Sequence, residues 1–216
     1  MSAIAEPAAP VNSTEFADPL QDTRQRLVEA AWKAFSEEGF RVSIDRIAAR
    51  AQMARQTLYN HFSSKDALFG EVIRHASRAI LVTLDGGNNV RDTLIAFAEA
   101  YREKVLSPDG IAIFRTLTSE AAHFPALAAQ VFREGPLATR QRLAIYLARE
   151  MEAGQIRRDE PLFAAEMLTA MLADFDRLRS LMTLEMNQNK PDKSTQVVDC
   201  FLRAFAPEHA AEKETP

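Results

Sequence analysis

Arg55, Gln56, Thr57, Tyr59, Asn60 and His61 crowd one short stretch of the chain, in which only Leu58 and Phe62 call for burial. Together these side chains can read a DNA groove. Arginine forks onto guanine, glutamine and asparagine pair with adenine, the threonine methyl meets the thymine methyl, and Tyr59 and His61 can reach phosphate oxygens. Such groups act only when something holds them in one direction. The preceding residues can do so: Ile44, Ile47, Ala48 and Ala51 recur at spacings of three and four, leaving Asp45, Arg46 and Arg50 to point away. The pattern predicts two short helices across a tight connection.

Charge supports the same reading. The 216 residues carry a net charge of −4, which argues against unspecific coating of nucleic acid. The basic residues Arg41, Arg46, Arg50, Arg55 and Lys65 nevertheless gather in one window that holds Asp45 as its acid. A basic face on an acidic molecule suits site-specific binding, with phosphate attraction confined to one end.

At these residues the sequence resembles the helix-turn-helix of the TetR family of bacterial transcriptional regulators. The likeness runs over residues 21–68. It rests on an amphipathic helix ending in Glu-Glu-Gly-Phe, on Ser43, Ile47-Ala48, Thr57-Leu58-Tyr59 and His61-Phe62, and on Ser64-Lys65-Asp66-Ala67-Leu68. Two positions depart from the family pattern. Gln52 stands where a turn glycine is common, and Ala54 where a serine or threonine often caps the recognition helix. The resemblance implies DNA contacts from Arg41, Ser43, Arg46, Arg55, Gln56, Thr57, Tyr59, Asn60, His61 and Lys65, with Ser43 at a helix start that approaches a phosphate.

The rest of the chain reads as helix. With 47% hydrophobic residues and only 7 glycines, it has too much apolar surface for disorder and too little glycine for a turn-rich β fold. The expected fold is all-α with about nine helices: an N-terminal three-helix DNA-binding domain followed by a larger helical domain for ligand binding and dimerisation. Residues 1–20, rich in alanine and proline, read as a disordered arm. Residues 21–66 form the helix-turn-helix domain, 67–206 the effector-binding and dimerisation domain, and 207–216 a tail. Asp22 or Thr23 is expected to cap the first helix and Gly39 to end it, with Trp32 as a packing residue. A fourth helix starts at Ser63 or Ser64, and residues 85–89 form a linker. Gly135-Pro136 should kink or break a long seventh helix.

By the same resemblance, Phe97, Tyr101, Phe114, Leu117, Phe124, Tyr146, Leu147 and Phe175 enclose a pocket for a small apolar or amphipathic effector. The last two helices pair with those of a second subunit, through Leu168, Leu172, Phe175, Val198, Phe201 and Phe205, as a homodimer on a palindromic double-stranded operator. Their broad apolar surface also calls for several neighbours. Two recognition helices about one DNA turn apart, ~34 Å, discriminate far better than one.

Other chemistries find little support. Glu120 and His123 have the spacing used in di-iron bundles, but no second copy follows. No nucleophile elbow, dinucleotide or phosphate-loop pattern occurs, so neither catalysis nor a metal or cofactor is expected. The single cysteine, Cys200, falls in an apolar pattern and reads as a buried structural thiol. No secretory leader is visible in residues 1–20 and no apolar run would span a bilayer, so a cytoplasmic protein with no membrane partner is expected. The competing class is a helical protein-interaction module, which would have no use for the exposed polar set around Arg55.

Overall fold

In the computed structural model, residues 19–87, 89–184 and 192–207 are described. Residues 1–18 and 208–216, which hold most of the expected arm and tail, lie outside them. The helices are α1 (Pro19–Glu38), α2 (Ile44–Arg50), α3 (Arg55–His61), α4 (Lys65–Leu81), α5 (Val90–Leu106), α6 (Pro108–Glu120), α7 (Pro125–Phe132), α8 (Ala138–Glu152), α9 (Pro161–Leu181) and α10 (Lys193–Ala204). A π-helical segment, Arg133–Leu137, makes α7 and α8 one continuous rod, so the described residues form nine helical rods.

Local chemistry sets most of these boundaries. Proline opens α1, α6, α7 and α9, where its missing N–H costs nothing. The first helix therefore starts at Pro19, ahead of the expected caps at Asp22 or Thr23. Ser64, rather than Ser63, caps α4 by accepting from the Ala67 N–H at 3.0 Å. Asn89 caps α5 in the same way through the Asp92 N–H, at 2.9 Å. Gly39, at φ 73°, ends α1 in the left-handed conformation.

Pro136 neither breaks nor ends its helix. The chain takes an extra residue into the turn, and the Ala138 N–H reaches back to the Arg133 carbonyl as well as to that of Gly135. That wide turn accommodates a residue with no N–H to give.

Two cores follow. In the first, Leu27, Val28, Ala31 and Phe35 of α1 meet Ile47 and Ala48 of α2, Leu58 of α3, and Leu68, Phe69 and Val72 of α4. The Phe35 and Phe69 rings meet edge to face with centroids 4.6 Å apart. In the second, Leu94, Phe97 and Tyr101 of α5 pack against α8, α9 and α10. Helix α4 belongs to both, with Phe69 in the first and Ile80 in the second.

Candidate nucleic-acid interface and internal cavity

The connection between α2 and α3 is a Schellman turn. The Met53 N–H donates to the Ala48 carbonyl at 2.9 Å and the Gln52 N–H to the Ala49 carbonyl at 3.0 Å. Gln52 takes φ 57°, the left-handed conformation that glycine adopts freely, so its side chain is carried at a cost. Arg26 of α1 holds the turn from behind, donating to the Ala51 carbonyl at 3.3 Å. Ala54 precedes α3 and offers no side-chain cap, so the α3 start lacks a capping oxygen.

This scaffold buries Leu58 and Phe62 and leaves Arg55, Gln56, Tyr59 and Asn60 exposed, with Thr57 and His61 half-buried. The exposed groups are ordered by one another. Gln56 Nε2 donates to Asn60 Oδ1 at 3.1 Å, one turn on. The Arg55 guanidinium lies 5.4 Å from the centre of the Tyr59 ring and meets Asp45 at 3.0 Å. Ser43 caps α2 by accepting from the Arg46 N–H at 3.3 Å. Lys65 lies over the Phe40 ring at 4.4 Å, and burial pushes its ammonium below its ordinary pKa against the opposing pull of Asp66.

Acids from outside the sequence window share this face. Arg46 pairs with Glu38 at 2.9 Å, Arg50 with Glu37 at 2.5 Å, and Arg41 with Glu120 at 3.4 Å. The basic excess counted along the chain is thus largely balanced in space. Exposed pairs of this kind are worth ~1 kcal/mol at most, so an arginine exchanges its carboxylate for a phosphate at little cost.

Behind this face a cavity of about 400 Å³ opens between α4, α5, α6, the α7–α8 rod and α9. Of the aromatic and aliphatic residues expected to enclose a pocket, Tyr101, Phe114 and Leu117 line it. The others do not. Phe97, Tyr146 and Leu147 are buried in the second core, where their helical faces meet α9 and α10. Phe124 packs on Phe40 with ring centroids 5.5 Å apart, and Phe175 faces outward.

Sequence reasoning missed the polar lining: Lys104, Arg140 and Arg177, together with Trp32 of α1. Lys104 lies three residues after Tyr101, a spacing that puts both on one helix face and was the available signal. Trp32 does more than pack. Its indole N–H donates to Asp109 Oδ2 at 3.2 Å and its ring carries the Lys104 ammonium at 4.3 Å.

The expected dimer residues need the same correction. Leu168, Leu172, Val198, Phe201 and Phe205 fill the second core of a single subunit. Phe175 alone of that set is outward, 67% exposed. With it Phe163, Met171, Leu178 and Met182 form an apolar stripe along α9. Cys200 is exposed, contrary to the expected buried thiol, because α10 turns Val197, Val198 and Phe201 inward and leaves position 200 on the far side.

Glu120 and His123 stand 3.9 Å apart at the surface, and among the described residues no group of three or more His, Cys, Asp or Glu side chains is placed to hold a metal. No helix among them is long and apolar enough to cross a membrane.

Comparison with known proteins places this arrangement. Residues 27–72 match the bacterial regulatory proteins of the tetR family, and residues 92–207 match the AefR-like transcriptional repressor C-terminal domain. No curated protein matches the chain significantly. Among solved structures, a TetR-family regulator from Mesorhizobium loti superposes with a TM-score of 0.70 at 21% identity, over 88% of this chain and 99% of that one, a likeness of fold. The flavonoid-responsive regulator FrrA gives 0.63 at 28% identity over 88% and 100%. A TetR-family regulator from Pseudomonas syringae gives 0.59 at 25% identity over 84% and 94%. The helix-turn-helix and the AefR-like match, which spans more than half of the chain, agree: this protein belongs to the TetR family of DNA-binding transcriptional regulators.

Proposed function

We propose that the protein is a homodimeric cytoplasmic repressor, released from a palindromic operator when a small apolar or amphipathic effector enters the cavity. The observation that carries this reading is the cavity itself, walled by the helices that connect to the DNA-binding head and touched by Trp32 of that head. Its volume of about 400 Å³ falls in the range of ~300–1,000 Å³ typical of small-molecule sites. The similarity to FrrA, described as flavonoid-responsive, supports a ligand-operated regulator without naming this chain's ligand. The outward stripe on α9 supports pairing of two copies.

Functional division falls at the start of α4, with residues 21–66 reading DNA and 67–206 binding effector and partner. Arg55, Gln56, Thr57 and Asn60 read bases. Arg41, Ser43, Arg46, Tyr59, His61 and Lys65 hold the backbone. Release is a shift of population: a ligand that prefers a form with splayed heads lowers operator affinity by no more than its differential affinity for the two forms. The test couples thermal shift to operator binding. Compounds that stabilise the protein should weaken its operator complex; stabilising compounds that leave operator affinity unchanged would refute effector release.

A further inference from the structure

The cavity walls are largely aliphatic and aromatic, from Ile73 and Ile80 of α4 to Phe114 and Leu117 of α6 and Val131 of α7. Three basic residues, Lys104, Arg140 and Arg177, line this space, while no acidic side chain is among the described lining residues. All three are half-buried, and their partners are weak ones for charge. Lys104 rests on the Trp32 ring, with no carboxylate within 4.0 Å among the described residues. Arg177 lies over the Phe114 ring at 4.8 Å, donates to the Tyr101 hydroxyl at 3.5 Å and has Asp174 at 3.9 Å. Arg140 donates to the Thr169 hydroxyl at 3.3 Å and to the Pro136 carbonyl at 3.5 Å.

Half-buried cations on an apolar wall, with Asp174 only at 3.9 Å from Arg177 and Asp109 acting on Lys104 from beyond 4.0 Å, are incompletely compensated unless something else pairs with them. An anion brought by a ligand does so, and a cationic ligand would be repelled. We infer that the effector is an apolar molecule bearing one negatively charged head, such as a carboxylate, which sits against Lys104 and Arg177 while its body lies on Ile73, Ile80, Phe114 and Val131. Tyr101 relates the two cations: it stands three residues before Lys104 on α5, and its hydroxyl accepts from Arg177 at 3.5 Å. Burial pushes the Lys104 ammonium below its ordinary pKa, against the pull of Asp109, and an anion beside it would reverse that tendency.

An anion that draws Lys104 away from Trp32 also alters a contact between α1 and α5, and so acts at the point where the head meets the cavity. This inference rests on the effector reading of the same cavity and specifies its ligand.

The test uses three probes with one tail and different heads: decanoate, 1-decanol and decylamine, each below its aggregation threshold. Binding to the full-length protein is followed by calorimetry, and the emission of Trp32, the single tryptophan, shows whether the cavity is occupied. Decanoate should bind at least ~10-fold more tightly than decanol, with decylamine weakest, as a charge-assisted contact requires. Lys104→Met and Arg177→Met should each remove that preference and leave decanol binding in place, which separates loss of charge from loss of fold. Equal affinity for acid and alcohol, or no binding of any probe, overturns the inference. Selective decanoate binding that leaves operator affinity unchanged would instead sink effector release and leave the ligand class standing.

Discussion

Gln52 holds a left-handed backbone conformation between the two helices of the DNA-reading unit, with both Schellman hydrogen bonds made around it. Its cost is that of a side chain at φ 57°, so Gln52→Gly should stabilise the protein by about 1 kcal/mol and raise the melting temperature by ~2–4 °C. A thermal melt checks this, and a loss of stability would mean that the Gln52 side chain makes a compensating contact. We expect the groups on α3 and at the start of α4 to divide by role. Gln56→Ala and Thr57→Ala should relax discrimination between operator variants, whereas Lys65→Ala should weaken binding to every DNA and lower the salt slope by ~1. Competition titrations at two salt concentrations separate these outcomes, and equal losses on every sequence for all three would contradict base reading. The outward course of Arg55, Gln56, Tyr59 and Asn60 was legible because polar side chains around a two-residue apolar anchor leave few alternatives. The cavity residues were less so: Phe97 and Tyr101 both read as apolar aromatics, and only packing shows that Phe97 fills the core while Tyr101 faces the space.

At the scale of elements, α4 ties the head to the body through Glu71. This carboxylate is 4% exposed and meets Arg24 of α1 at 2.9 Å, Arg74 at 2.8 Å, and Arg78. The hydrogen bond from Arg24 leads, and with that from Arg74 it outweighs burial and holds the Glu71 pKa at about 2, below its ordinary 4.5. A lowered folded-state pKa contributes stability that is fully present above pH 4.5 and is lost as pH falls towards 2. The contribution is on the order of 2–3 kcal/mol, so Glu71→Gln should flatten stability against pH across that window and destabilise the protein above it. Urea unfolding from pH 2 to 7 measures both effects, and an unchanged acid limb would remove Glu71 as the tie. Arg74 and Arg78 follow Glu71 at helical spacing, but the tie to the head could not be read from the chain, because Arg24 lies 47 positions before Glu71 and no local spacing connects them. The π segment was half legible: Gly135-Pro136 announces an interruption, while its resolution into a widened turn depends on α4. There Gly135 lies so close to Ile73 that an added Cβ would come within 2.6 Å of its methyl group.

For the whole molecule, helix periodicity and family motifs made the all-α, two-part architecture readable, while most residues expected at a dimer surface lie in the core of one subunit for a physical reason. Helix α9 is apolar on two sides, and sequence alone does not say which side belongs to its own subunit. Leu168 and Leu172 face inward, while Phe175 and Met182, 67% and 62% exposed, face out. Phe175→Asp or Met182→Asp should therefore yield monomers with little loss of fold, whereas Leu172→Ala should cost ~2–5 kcal/mol in stability. Sedimentation velocity beside a thermal melt separates the two, and an intact dimer in both aspartate variants would move the interface elsewhere. The central claim, a dimer that reads a specific operator, is tested most directly by fluorescence anisotropy on the DNA flanking the protein's own gene, with random competitor, at two salt concentrations. The account predicts binding at least ~1,000-fold tighter than to random DNA, with two subunits per palindrome. Weak binding that is blind to sequence on that DNA, and on operators selected from a random pool, would contradict it.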